Sequence, residues 1–124
     1  MKLFGTILST LVALAFLAIG VGAFAAARMS SEQYGIPARD PSSLAYVRAL
    51  GARDVVLGLI VIAFLIAKAR GPLSVVVALS ALVGLADFLI VLSERGPEGA
   101  RSLAIHGTGT VGLLVTWAVL RAGG

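Results

Sequence analysis

The stretch Tyr46-Val47-Arg48-Ala49-Leu50-Gly51-Ala52-Arg53-Asp54-Val55-Val56-Leu57-Gly58 carries an arginine and an aspartate, side by side, into the start of a long apolar run. Read as one helix from about Ser43 to Ala69, the segment exceeds the roughly 20 residues needed to cross a hydrocarbon core. Ionisable groups this far inside such a segment are expensive unless paired. Arg53 and Asp54 therefore mark either an interhelical clamp or a working site.

Outward from this segment, three more apolar runs take the same form: Leu3 to Ala27, Pro72 to about Ser93, and Ala100 to about Arg121. The first has a lysine ahead of it and Ala25-Ala26-Ala27 at its end, as a secretory signal would, but the apolar region of a signal is only about 7–15 residues long. Its Thr6, Ser9, Thr10, Ala13 and Gly20 provide a small, weakly polar stripe for close helix packing. Between Arg28 and Ala45 the turn-forming residues Gly35, Pro37, Asp40 and Pro41 predict the longest loop, with Asp40, Ser42 and Ser43 as candidate caps. Gly71-Pro72 and Glu94 to Gly99 predict the two short connections. The expected fold is an all-α membrane protein, a single domain over 1–124 forming an antiparallel bundle of four transmembrane helices.

Composition supports lipid as the solvent. Of the 124 residues 59% are hydrophobic and 13% charged, with a mean hydropathy of +1.03. The net charge of +4 is carried by residues at loop ends, and no basic face interleaved with aromatic residues suggests nucleic-acid binding. With no cysteine and one histidine, disulfides, thiolate ligands and local zinc-protease spacing are excluded. No metal or cofactor is expected.

Counting along antiparallel helices brings the ionisable groups together. With side A the face of the termini and side B that of the long loop, Asp54, Asp87 and His106 lie about ten, six and six residues in from side B, within about one helical turn of each other. Gly51, Asp54 and Gly58 share one helix face, as do Ser80, Gly84 and Asp87; Ser102, His106 and Thr110 form a stripe on the last span. These stripes should face each other, because lipid would leave them unsatisfied. The expected site is a side B pocket of Arg53, Asp54, Asp87 and His106, with Tyr34, Tyr46 and Thr110 as substrate contacts and the long loop as lid.

Each residue also has a plainer reading. Arg53 and Asp54 suit a clamp, and His106 suits a hydrogen-bonded packing residue. Tyr46 and Trp117 lie toward opposite faces, as interfacial anchors do, and Arg48 can snorkel to side B. Gly107, Gly109 and Gly112 permit close packing within the bundle or across a homodimer face.

The set Tyr34-Gly35-Ile36-Pro37, Tyr46, Gly51-Ala52-Arg53-Asp54, Gly58, Asp87 and His106 resembles a family of small four-helix membrane proteins of bacteria and fungi, catalogued mainly as a domain of unknown function. Fungal members of that family are associated with pathways in which epoxidised polyenes are hydrolysed or cyclised. The resemblance implies Arg53, Asp54, Asp87 and His106 as the polar core of an enzyme acting on a lipophilic molecule; the chemistry of epoxide opening then asks Asp87 or Asp54 to activate water and the other carboxylate or His106 to donate the proton, Asp87 as base with His106 as its partner being the favoured assignment.

Two other roles fit the residues: a lipid-binding or structural membrane subunit, or a proton-coupled exporter. The chain is similar to the small multidrug-resistance family in length and span count, but its first span holds no acidic residue. Basic residues nearly balance across the two sides; Lys2 and the amino terminus favour termini inside a bacterial-type cytoplasmic membrane.

Overall fold

The computed structural model describes residues 2–123. Its elements are α1 (Leu3–Ala25), α2 (Ala27–Tyr34), α3 (Pro41–Ile66), α4 (Arg70–Arg95), a 3-10 turn (Gly96–Gly99) and α5 (Ala100–Ala122). Three helical stretches are long and apolar enough to cross a membrane: α1, α3, and the 53-residue stretch Arg70–Ala122. The last folds back at Gly96–Gly99, so that α4 and α5 pack side by side. The architecture is the expected antiparallel four-helix bundle, in which α1 packs on α3, α4 packs on α5, and the pairs join through α3–α4 and α1–α5.

The differences from expectation lie at the helix ends. The first span stops at Ala25 and resumes as α2 after Ala26, whose φ of −140° and ψ of 58° break the helical path. The predicted loop is therefore helical as far as Tyr34. Asp40 caps α3 as expected, accepting hydrogen bonds from the Ser43 N–H at 2.9 Å and the Ser43 hydroxyl at 2.6 Å, with Pro41 in the first turn. Those two bonds hold the Asp40 carboxyl below its usual pKa. Gly71-Pro72 is not the connection. The chain reverses at Ala67–Ala69, with Lys68 at a φ of 53°, and Pro72 enters the first turn of α4, where its missing N–H leaves no bond unmade.

Small residues set the tight crossing of α1 and α3. A Cβ at Gly20 would lie 2.7 Å from the Gly51 carbonyl oxygen, and one at Gly51 would lie 2.6 Å from the Ala23 Cβ. The seven-residue steps Ala13–Gly20 and Gly51–Gly58 repeat this contact along the seam, where Gly58 meets Ala13 and Leu17. In lipid such backbone proximity stabilises by close packing, because apolar burial alone gains little there.

The bundle is divided along its length. Toward side A the core is mainly apolar, built from Ala13, Val61, Leu73, Val77, Ala81, Leu113 and Leu120, with the small polar residues Ser9, Ser74 and Thr116 also buried at that end. Arg70 closes that end, donating to the Leu120 and Gly123 carbonyls at the end of α5, where a cation also complements the helix dipole. Toward side B the interior is polar, and α2 lies over it.

The seam is testable by alanine substitution. Gly51→Ala should lower equilibrium stability in detergent micelles by about 1–3 kcal/mol through overpacking. Gly109→Ala, with nothing within 4 Å of the added carbon, should be neutral or stabilising by up to about 1 kcal/mol. Equal effects of the two changes would refute this account of the crossing.

Candidate functional site

Arg53 is the centre of the side B cluster. Its Nε donates to the Asp54 carboxylate at 3.1 Å, and its Nη2 reaches across to the Asp87 carboxylate on α4 at 3.2 Å. Neighbouring residues on a helix do not normally face each other; the Arg53 side chain folds back over Asp54 and bridges to the next helix. Asp54 and Asp87 are 7% and 8% exposed, too buried to be ordinary surface charges. With both carboxylates ionised and one guanidinium between them, the three groups sum to one uncompensated negative charge.

Tyr34 completes the cluster from above. Its hydroxyl donates to the other Asp87 carboxylate oxygen at 3.1 Å. Its main-chain carbonyl accepts from His106 Nε2 at 2.8 Å, and the two rings meet edge to face with centroids 4.8 Å apart. Because a carbonyl only accepts, His106 Nε2 carries a proton, and in the neutral ring the lone pair is on Nδ1. Among the described residues Nδ1 has no hydrogen-bond partner.

The local sequence explains how Tyr34 arrives there. Gly35 ends α2 in the left-handed region at a φ of 112°, with its N–H bonded to the Ser31 carbonyl. A Cβ on Gly35 would lie 2.7 Å from the Ser102 Cβ and 2.8 Å from Val91, so only glycine passes between α4 and α5 at this point. Ser31, buried, donates to the Arg28 carbonyl and accepts the Ala38 N–H, folding Ile36-Pro37 back under α2. The Tyr-Gly-Ile-Pro stretch thus ends α2, the short helix that lies over the cluster as a lid.

The expected residues divide accordingly. Arg53, Asp54 and Asp87 form one ion-paired group, Tyr34 joins it, and His106 reaches it through Tyr34 without a hydrogen bond to either carboxylate. Thr110 lies one turn below His106; its hydroxyl donates to the His106 carbonyl at 2.8 Å and packs against Gly84, a helix-contact role. Tyr46 is not in the cluster: it is 76% exposed, on the outer face of α3. Ser102, expected on the polar stripe of the last span, is buried beside the lid, as is Ser31, which sequence reasoning did not single out; the signal for Ser31 was its place one turn before a helix-ending glycine. The two carboxylates are buried while the Arg53 side chain is one-third exposed, and two surface grooves, between α4 and α5 and beside α2, include none of Arg53, Asp54, Asp87 or His106. Among the described residues no group of three or more His, Asp or Glu side chains is placed to hold a metal ion.

A membrane-type α-helical bundle with an ion-paired cluster beneath a helical lid is the class that this geometry defines. The chain belongs to the family described as Domain of unknown function (DUF4267), whose sequence profile matches residues 13–121 and so spans the lid and every residue of the cluster. No curated protein and no solved structure matches it.

Tyr34, outside the membrane-crossing helices, makes its contact with Asp87 testable. Burial and then the Asp87 charge push its phenol from 10.0 up to about 12. The folded protein then keeps the proton that the unfolded chain releases, so stability should fall as pH rises from about 10 to about 12 and level off above it. Tyr34→Phe should remove that part of the slope in denaturation measured across this range. An unchanged slope would mean that Tyr34 does not rest on Asp87 in solution.

Proposed function

We propose that the protein performs acid–base chemistry on a lipophilic small molecule admitted beneath the lid, and that epoxide opening, by hydrolysis or cyclisation, is the reaction to which the cluster is best suited. The observation that carries this reading is the 3.1 Å contact between the Tyr34 hydroxyl and Asp87, a proton donor on a base, inside an apolar bundle with Arg53 as counter-ion. Epoxide opening needs a base for the attacking hydroxyl and a donor at the departing oxygen, in a water-poor site.

In the proposed cycle, lid opening separates Tyr34 from Asp87 and lets the substrate lie between them. The Asp87 carboxylate takes the proton of the attacking water or substrate hydroxyl as the new C–O bond forms. The epoxide C–O bond breaks, and its oxygen takes the Tyr34 proton. Reclosure returns the proton from Asp87 to Tyr34, which restores both groups. Arg53 holds Asp87 in place, and Asp54 balances Arg53 from the other side. His106, with its Nε2–H on the Tyr34 carbonyl, positions the lid; this moves it from the direct partnership with Asp87 expected from sequence.

Arg53 also ties α3 to α4, which favours a second reading of the cluster as a clamp without chemistry. Comparative metabolite profiling of cells expressing wild type, Asp87→Asn and His106→Ala separates the two. The catalytic reading expects Asp87→Asn to abolish conversion of a compound that wild type consumes, with at least a tenfold loss for His106→Ala and partial recovery in His106→Gln, which can still donate to the lid. Unchanged metabolites, together with a stability loss of about 3–5 kcal/mol in Asp87→Asn, would instead establish the clamp.

A further inference from the structure

A second site lies on the other flank of the lid. A groove of about 540 Å³ opens where α1 breaks into α2 and passes the first turns of α3, lined by Phe24, Arg28, Met29, Glu32, Leu44 and Arg48. The α1–α3 register fixes its height. Gly51 is level with Gly20–Ala23, so in antiparallel helices Arg48 is level with about Phe24–Ala25. Arg28 follows just beyond the break at Ala26, in the first turn of α2. Both guanidinium groups are thus at the end of the apolar span, where a bilayer places its phosphates.

The groove's charges are unspent. Among the described residues the ion pairs are those of Arg53, so neither Arg28, Arg48 nor Glu32 has an ion-pair partner. Both arginines are exposed, as is Glu32 between them in sequence. Below these heads the wall is apolar: Phe24 and the alanines of the α1–α2 break lead onto the exposed surface of α1 that carries Val21. Two cations, one anion and an apolar wall make up one chemical pattern. It matches a phosphate, an ammonium and an acyl chain.

We infer that this groove binds the zwitterionic headgroup of a membrane phospholipid bearing a primary amine: its phosphate between Arg28 and Arg48, its ammonium on Glu32, and one acyl chain along Phe24 and the side of α1. Guanidinium groups are well suited to phosphate, presenting paired N–H donors to its oxygens. Glu32 supplies the selectivity, because a primary ammonium donates hydrogen bonds to a carboxylate whereas a quaternary one cannot. The site shares no residue with the Arg53 cluster, and it stands or falls independently of the chemistry proposed there.

The test is native mass spectrometry of the full chain in detergent, with defined lipids added at equal concentration. Dioleoylphosphatidylethanolamine should be retained at least fivefold more than dioleoylglycerol, which lacks the phosphate, and more than dioleoylphosphatidylcholine or dioleoylphosphatidylglycerol. The double variant Arg28→Gln/Arg48→Gln should lose that retention, while Arg39→Gln, which removes a charge outside the groove, should keep it. Glu32→Gln should abolish the preference over phosphatidylglycerol without abolishing binding. Soluble glycerophosphoethanolamine at the same concentration should not displace the lipid. Equal retention of dioleoylglycerol, wild-type retention by the double variant, equal loss in Arg39→Gln, or displacement by the soluble headgroup would each overturn the proposal.

Discussion

The Arg53 guanidinium is the constraint on which the side B half of the molecule depends. It is bonded to Asp54 on its own helix and to Asp87 on the next. Without it, two nearly buried carboxylates would face each other across α3 and α4 with no cation in contact, in a setting where an unpaired charge is far more costly than in water. Its position also decides which helices meet. The α1–α3 and α4–α5 pairs are held along their length by small-residue packing, whereas α3 and α4 make a sparser contact that the ion pair reinforces. One polar side chain thus both organises the site and joins the two halves of the bundle.

The division of the bundle follows from where such groups can be tolerated. Val61, Leu73, Val77 and Leu113 fill the side A half with side chains that need no partners. The side B half holds the ionisable groups within reach of the lid, which can supply hydrogen bonds that helix packing alone does not. Tyr34 does this with a neutral hydroxyl, adding a donor to Asp87 without adding another charge to a cluster that already carries an excess carboxylate. His106 then fastens the lid through a backbone carbonyl. The apolar half and the polar half are segments of the same helices.

The bundle and the polar layer were legible in the sequence for a simple reason. Helix length in a membrane is fixed by bilayer thickness, so residue number becomes depth, and depth counting alone placed Arg53, Asp54, Asp87 and His106 together. Face was partly legible. Gly51, Asp54 and Gly58 lie on one stripe, but Tyr46 is eight residues from Asp54, a rotation of about 80° that carries it off that stripe, and it faces outward. The lid was not legible as a helix, because Arg28-Met29-Ser30-Ser31-Glu32-Gln33 has no apolar period and its start is a backbone break at Ala26 with no side-chain signal. Gly35 followed by Pro37 was the available cue to its end. The His106 contact was beyond reach in principle, since its partner is a main-chain oxygen and main-chain atoms carry no residue identity.

The lid opening in the proposed function has a cost set by the bonds that Tyr34 makes. Tyr34 gives up one hydrogen bond to Asp87 and its carbonyl gives up one from His106, each a modest net loss when another polar partner replaces it and a larger one when nothing does. A purely apolar molecule entering under α2 would leave Asp87 and His106 short of partners, and the lid would favour closure. A ligand with an oxygen acceptor or hydroxyl on an otherwise apolar frame restores both bonds while matching the surrounding helices. Under the proposed function, the bonds that the lid gives up on opening would thus favour the same kind of molecule that the acid–base pair beneath it would use.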